Sequence, residues 1–369
     1  MNKFLFGDAV PWFECKSSSN PVFNFNTVAG RYVVLFFFGS AQNESILKVL
    51  SFFCQEIRDK FNDSDVCFFG VSVEPQDLEL NRIQDIIPGI RFFWDFDFQV
   101  SKLYGALQSD ENNIIIYSPF TLILDPSLRV IANIPFIDGD IHNRTIENIL
   151  NELPSVDDYA EVPLSAPILI VPRVFERAFC RQLINLYNQY GGNESGFMRE
   201  KDGKTIGVQD NTFKKRKDYT IESEEIKSEI RERLSRRLLP QISKAFQFPV
   251  TRIERYIVAC YDSNSGGFFR PHRDNTTKAT AHRRFAVTIN LNAEEYEGGN
   301  LRFPEFGNKT YRAPTGGAVV FSCSLLHEAT PVTKGIRYAT LPFLYDEVGA
   351  KIRQANQQFL ANQVLNLNN

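Results

Sequence analysis

A chain of 369 residues, 43% apolar and 23% charged, is long and mixed enough for two globular domains and is excluded from the disordered class. A net charge of −3 gives no general attraction to nucleic acid, so nucleic-acid binding is set aside. Cys15, Cys54, Cys67, Cys180, Cys260 and Cys323 are scattered without any Cys-x-x-Cys spacing, which excludes a secreted disulfide framework and reads as the reduced thiols of a cytoplasmic protein.

The opening MNKFLFGDAVPWFE is broken at Asp8 and Pro11 and makes a poor signal peptide. VVLFFF (33–38) is too short to span a bilayer and suits a buried strand, so no membrane partner is expected. RYVVLFFF (31–38), VCFFGVSV (66–73), RFFW (91–94) and TLILD (121–125) are predicted strands. Between the first two, Ile46, Leu47, Leu50, Phe53, Cys54 and Ile57 recur at helical spacing over 44–61. Strand, helix, strand is the crossover unit of a parallel or mixed sheet. A closing helix is predicted at 143–150, and the proline-bearing segment 151–167 marks a boundary.

GDAVPWF, FFFGS, WDFDFQVSKLYGA (94–106) and SPFTLILDPSLRVIAN (118–133) together resemble the thioredoxin-like fold of peroxiredoxins over roughly residues 4–152. The resemblance implies a cysteine near the start of the helix after FFF. This chain has Gly39-Ser40-Ala41-Gln42-Asn43-Glu44 there, and Cys54 lies farther along on the apolar stripe, so the domain is expected to be redox-inactive. Pro119 aligns with the cis-proline of that fold.

The second half opens with a predicted helix at 172–190, carrying Phe175, Phe179, Leu183 and Leu186 on one side. Segment 191–219 is glycine-rich and charged without a sustained period; it is expected to be a loop, with KKRK (214–217) on its solvated surface. A long helix follows at 222–246. From 252 onward the pattern turns to short strands at 252–261, 283–292, 300–306, 309–314, 316–322 and 337–346. Such strands joined by glycine-rich turns indicate an antiparallel sandwich or small barrel. In FAVTINLN, Phe285, Val287, Ile289 and Leu291 alternate with Thr288, Asn290 and Asn292, so the second face lines something other than hydrophobic core.

The chain has four histidines. In GGFFRPHRDN (266–275), His272 and Asp274 on an extended segment would share one face, with Cβ atoms about 6–7 Å apart, and could converge on one cation. A third ligand must come from elsewhere. His142 sits in the first domain, and His282, beside two arginines at the mouth of a strand, is expected to be exposed. His327 emerges just beyond the apolar strand of GGAVVFSCSLLHEATPV. Two histidines and a carboxylate form the facial triad of non-haem Fe(II) sites. Such a centre carries a net positive charge and suits a chelating dicarboxylate such as 2-oxoglutarate, whose distal carboxylate then needs a cation. Arg337, at the start of the next apolar strand, is positioned to provide it.

RYIVACYDSNSGGFFRPHRDN, VTINLN, EGGNLRFPEF, APTGGAVVFSCSLLHEATPV and IRYAT, in that order, resemble the catalytic core of prolyl 4-hydroxylase-like Fe(II)/2-oxoglutarate oxygenases over residues 256–346, or 168–346 with the two preceding helices. The resemblance implies a double-stranded β-helix with His272, Asp274 and His327 as iron ligands, Arg337 on the distal carboxylate and Tyr261 bonding the co-substrate. Asn290 occupies a position where close relatives carry a tyrosine for the same carboxylate; Thr340 or Asn292 are substitutes. Implied cofactors are Fe(II), 2-oxoglutarate and O₂, with ascorbate as an accessory. The implied reaction hydroxylates an unactivated C–H bond, with a prolyl residue of a peptide or protein as the type case and a small molecule as the alternative, and releases succinate and CO₂. Segments 191–219 and 262–270 are candidate lids, and Arg270, Arg273 and Arg284 are placed near the mouth.

The expected architecture is an α/β thioredoxin-like domain (1–152), a linker (153–167) and an α+β double-stranded β-helix, or jelly-roll, oxygenase domain with supporting helices and a C-terminal helix (168–369). Oligomeric state is left open. Two other classes stay open beside the dioxygenase: a two-domain binding or scaffold protein with a drifted metal site, and a thiol peroxidase working through Cys54.

Overall fold

A computed structural model describes residues 4–109 and 115–367. The chain divides into two compact units, Met1–Ser165 with Pro304–Asn308, and Ala166–Phe303 with Lys309–Asn369. Among the described residues no helix is long and apolar enough to cross a membrane.

The first unit is built on a seven-stranded mixed sheet in the order Phe23–Asn24, Glu14–Ser17, Ile90–Trp94, Val66–Ser72, Tyr32–Gly39, Phe120–Leu124, Val130–Pro135. Tyr32–Gly39 runs parallel to Val66–Ser72 and antiparallel to Phe120–Leu124. All eight of its residues are buried, which is why it reads as an unbroken apolar run: a central strand covered on both faces has no polar side. Phenylalanines fill the interior on both sides, with Phe69 and Phe93 stacked at 4.9 Å and Phe53 against Phe68 at 4.9 Å. Burying each such ring contributes about 1.5–3 kcal/mol. The predicted helix 44–61 is an α-helix at Glu44–Ser51, capped by Asn43 Oδ1 on the amides of Ser45 and Ile46; it widens into a π-helical turn at Phe52–Glu56 and ends in a 3₁₀ turn at Arg58–Lys60. The closing helix is longer than predicted, Gly139–Glu152, and is capped by Asp138. The arrangement is thioredoxin-like, with one difference from expectation: Ser118–Pro119 is trans, and the cis proline bond is Ile87–Pro88.

The turn where a peroxiredoxin carries its cysteine is held by a carboxylate instead. Buried Asp77 accepts from the Ala41 amide and from Ser72 Oγ, both at 2.8 Å, and pairs with Arg82 at 3.0 Å. Cys54 is partly buried, and burial pushes its thiol up to about 11 against a small opposing effect of Arg58.

In the second unit a nine-stranded sheet contains, in order, Leu169–Val171, Ala318–Ser322, Phe285–Asn290, Ile336–Thr340, Ile257–Asp262, Lys217–Thr220 and Asn193–Glu194, with Arg252–Glu254 and Phe343–Tyr345 branching from it. A five-stranded sheet contains Lys214–Lys215, Phe268–His272, His327–Ala329, Leu301–Arg302 and Thr310–Tyr311. The helix Arg177–Tyr190 and the long helix spanning Glu224–Phe246 pack Phe179, Leu183, Ile230, Leu234, Leu238 and Ile242 against Val258, Val287, Ile289 and Val320 of the larger sheet. The long helix opens into a π-helical turn at Leu234–Leu238, just ahead of Pro240, whose missing N–H and ring bulk disfavour a regular turn there.

Two sequence expectations are corrected here. Segment 191–219 is not a loop: it holds the hairpin Phe197–Lys201/Lys204–Gln209 and strands of both main sheets. The chain does not end on its C-terminal helix Glu347–Asn356; Leu360–Asn366 follows as a strand parallel to Lys204–Gln209, making a three-stranded sheet with the hairpin. That pairing joins segments far apart in the chain, and no local periodicity announces it.

Candidate metal centre

Phe268–His272 and His327–Ala329 are antiparallel neighbours with His272 directly opposite His327. Their ring centroids are 4.3 Å apart. The strand ends at His272, and Asp274 follows in a bend fixed by its own amide donating to the Cys323 carbonyl at 2.9 Å. Asp274 Oδ1 lies 3.6 Å from His272 Nε2, and Oδ2 lies 3.4 Å from His327 Nε2. One ligand atom from each of the three residues lies within 4.8 Å of the others, the only such group of His, Cys, Asp and Glu among the described residues.

Each imidazole is oriented from behind. His272 Nδ1 bonds the Arg270 carbonyl at 2.7 Å, and His327 Nδ1 bonds the Leu325 carbonyl at 3.0 Å. A carbonyl only accepts, so both Nδ1 atoms carry the proton and both Nε2 lone pairs face the centre, as a metal requires. Phe269 stacks on His272 and Phe321 packs edge-on to His327, fixing the ring planes. Burial, reinforced by His327, pushes His272 well below its ordinary value and keeps it neutral. Burial alone would raise the Asp274 carboxyl, but the His327 imidazole, with His272 and Arg283, holds it well below the usual range.

Arg337 lies on Ile336–Thr340, directly opposite Tyr261 on Ile257–Asp262, with its guanidinium 4.8 Å from the Tyr261 ring centroid. It is 1% exposed, and its Nε and Nη1 have no hydrogen-bond partner among the described residues. A buried guanidinium with two unused donors is costly unless an anion completes it. Gly299, at φ +61°, lets it lie flat; a Cβ there would come within 3.1 Å of Arg337 Cδ. Tyr261 Oη accepts from Arg216 Nη1 at 3.3 Å, and Arg216 forks onto Asp218 through Nε and Nη2 at 2.7 and 2.6 Å. His272, Asp274, His327, Tyr261 and Arg337 all line one cavity, together with Arg216, Thr288 and Arg255. Three neutral or anionic donors facing a common centre, with an anion-seeking guanidinium on the same cavity wall, fit a divalent metal and a dicarboxylate.

Other expected residues lie elsewhere. Asn290 is buried and donates its amide to the Ala313 carbonyl at 2.7 Å; Thr288, two residues earlier on the same strand face, lines the cavity instead. Asn292 is committed to Ile336 and Tyr338 backbone groups, and Thr340 is buried away from the cavity lining. His282 is buried, not exposed, with Nε2 2.5 Å from Glu254 Oε2. Glu254 also holds Arg283, whose Nη1 donates to the Asp274 carbonyl. Within KKRK, Lys214 and Arg216 are buried. Of the three arginines placed at the mouth, Arg273 alone lines the larger neighbouring cleft; Arg270 is spent on the Thr212 carbonyl and Arg284 on the Ala281 carbonyl.

That cleft, of about 630 Å³, shares His272, Asp274, Arg255, Phe269 and Phe343 with the metal cavity. Met198, Val208 and Val364, from the three strands of the small sheet, contribute to its wall.

The 2OG-Fe(II) oxygenase superfamily model matches residues 256–345. A PKHD-type hydroxylase of Synechococcus sp. (strain JA-2-3B'a(2-13)) is 31% identical over 98 residues, covering 25% of this chain and 43% of the relative, so the chain spans less than half the length of that curated relative. Among solved structures, a prolyl hydroxylase in complex with a hypoxia inducible factor peptide fragment, from Trichoplax adhaerens, is similar at 22% identity and TM-score 0.41 over 57% of this chain and 94% of that one. Peroxidoxin BcpB from Mycobacterium tuberculosis is similar at 18% identity and TM-score 0.34 over 41% of this chain and 99% of that one. With the superfamily match falling on the segment that holds the three-ligand cluster and Arg337, the chain carries a 2OG-Fe(II) oxygenase domain.

Proposed function

We propose that this protein is a 2-oxoglutarate-dependent hydroxylase acting on an unactivated C–H bond, with a prolyl residue of a peptide or protein as the leading substrate class. The observation that carries the reading is the convergence of His272, Asp274 and His327 beside a buried Arg337 with two unused N–H donors. In this reading the three side chains hold Fe(II), and Arg337 takes the distal carboxylate of 2-oxoglutarate. When bound, Fe(II) with 2-oxoglutarate and O₂ supplies the oxidising power for hydroxylation and the release of succinate and CO₂. The protein's own part is positional. The Arg270 and Leu325 carbonyls aim the two imidazoles, Phe269 and Phe321 keep water from the rings, and the Arg216–Asp218 fork sets the Tyr261 hydroxyl. The relative's name, PKHD-type hydroxylase, supports the reaction class.

We assign residues 168–369 to the oxygenase and 1–152 to a redox-inactive thioredoxin-like domain joined by 153–167. Six unpaired cysteines fit a reducing, cytoplasmic setting.

The test is anaerobic loading of the full chain with Fe(II) and 2-oxoglutarate, followed by exposure to O₂ with a panel of proline-containing peptides and measurement of succinate. Peptide-stimulated succinate with a matching gain of one oxygen is expected, and Asp274→Ala is expected to lose both metal and turnover. Absence of a metal and 2-oxoglutarate complex in the folded protein would refute the reading.

A further inference from the structure

Arg255, which lines both the metal cavity and the cleft, and Lys214, which lines the cleft, form no ion pair among the described residues. Arg255 lies between the strands Arg252–Glu254 and Ile257–Asp262, in the left-handed region at φ +71°, a conformation that is rare for a bulky side chain. The strand breaks there, and Arg255 lines both cavities. Its Nε and Nη2 donate to the Leu341 carbonyl at 2.9 and 2.7 Å, the plane resting on the Phe343 ring at 4.4 Å, and Nη1 has no hydrogen-bond partner among the described residues. Lys214 is buried in the cleft wall, bonded only to neutral oxygens, Ser195 Oγ at 2.8 Å and the Gly196 carbonyl at 2.5 Å, with its ammonium 4.7 Å from the Phe269 ring centroid.

Three other cations around the site are accounted for. Arg216 has Asp218 and Arg283 has Glu254, while Arg337 belongs to the co-substrate in the function proposed above. Among the described residues, neither Arg255 nor Lys214 has a carboxylate within ion-pair distance. Burial, with the neighbouring Arg216, pushes Arg255 down to about 10 and Lys214 well below its ordinary value, against the more distant carboxylates of Asp218 and Asp274.

We propose that Arg255, with Lys214, is a specificity anchor for a carboxylate on the acceptor substrate, so that the hydroxylated molecule is anionic beside its reacting carbon. The proposal rests on the oxygenase reading and adds the substrate's charge to it. The free guanidinium Nη1 and an ammonium on the cleft wall, next to His272 and Asp274, place that carboxylate alongside the metal centre and not in the Arg337 pocket. Two sources share this chemistry: an acidic side chain next to the target residue in a peptide, and the carboxylate of a small amino acid.

The experiment uses full-length protein with Mn(II) and saturating 2-oxoglutarate, and follows paramagnetic broadening of two matched probe pairs by NMR. The first pair is N-acetyl-Asp-Pro-amide against N-acetyl-Asn-Pro-amide; the second is L-proline against L-prolinamide. In at least one pair the acid is expected to bind about tenfold or more tightly than its neutral partner, and without displacing 2-oxoglutarate. The pair that discriminates identifies the source. Arg255→Gln is expected to bring the two affinities to within about twofold, and Lys214→Gln to reduce the gap. Equal affinities in both pairs, displacement of the acid by 2-oxoglutarate, or an undiminished preference in folded Arg255→Gln would overturn the anchor. The wild-type comparison decides by itself if the variant does not fold. Saturation-transfer NMR on metal-free protein separates the two readings: acid preference without Mn(II) or 2-oxoglutarate binding removes the oxygenase reading and leaves the anion site, whereas intact metal and co-substrate binding without acid preference removes the anchor alone.

Discussion

Replacing Arg337 with methionine removes its charge and its donors while keeping much of its length. The side chain is 1% exposed, with Nε and Nη1 unpartnered, so its guanidinium is already dehydrated before any ligand arrives. Truncating one partner of a buried, hydrogen-bonded charge pair costs about 2–5 kcal/mol, which corresponds to about a thirtyfold to several-thousandfold rise in Kd for 2-oxoglutarate. Stability should move the other way or hardly at all. Each dehydrated, unpaired polar group costs about 1–3 kcal/mol in the ligand-free fold, and against that the variant gives up the contact with the Tyr261 face, worth about 0.5–2 kcal/mol. The assay pairs an anaerobic titration of 2-oxoglutarate into Fe(II)-loaded protein, read by its weak visible charge-transfer absorption, with urea unfolding of the metal-free protein. Arg337→Met should bind Fe(II) like wild type, lose 2-oxoglutarate affinity and keep its urea midpoint. Wild-type affinity for 2-oxoglutarate in the variant would refute the assignment, and a large fall in the midpoint would show Arg337 to be a structural residue.

Gly299→Ala places a Cβ 2.8 Å from Val332 Cγ2 and 3.1 Å from Arg337 Cδ at a φ of +61°; it should cost about 1–2 kcal/mol of stability and weaken 2-oxoglutarate binding, both read in the assays above. His142, packed among Phe36, Phe53 and Phe136 and bonded to Thr121 Oγ1, is lowered by burial from 6.5 to about 4. The unfolded chain therefore binds the extra proton between those values, and stability present above pH 6.5 falls by about 3 kcal/mol as pH drops through 4; His142→Gln should flatten that part of the urea-midpoint profile. Cys54→Ser should leave peroxide consumption at the same negligible rate as wild type in a stopped-flow assay, because burial keeps the thiol protonated; rapid consumption lost in the variant would restore the peroxidase reading.

Local pattern carried much of the fold. The apolar runs at 31–38 and 66–73 suit buried strands, and Tyr32–Gly39 and Val66–Ser72 are such strands. His-x-Asp and the later histidine drew attention to three residues that the fold brings within 4.8 Å. Charge was much harder to read. KKRK looks like any solvated run, yet Lys214, on an edge strand of one sheet, and Arg216, between that strand and a strand of the other sheet, are both buried. His282 has arginine neighbours in sequence but a glutamate neighbour in space, and that partner makes its burial tolerable. Asn290 alternates correctly with the apolar face, but alternation names a face and not what covers it; the Ala313 carbonyl takes its amide.

What the sequence by itself determined was the set of elements and the ligand chemistry, since strand and helix periods, glycine turns and the identity of the donor atoms are properties of short stretches. Tertiary structure decided which strands lie side by side, and with that the facing of His272 and His327, the burial of Arg337 opposite Tyr261 and the unmatched charge of Arg255. The reason is that burial and convergence depend on strand register and on layers contributed by distant segments, including the C-terminal strand Leu360–Asn366 paired beside Lys204–Gln209, and no window of local sequence contains both partners.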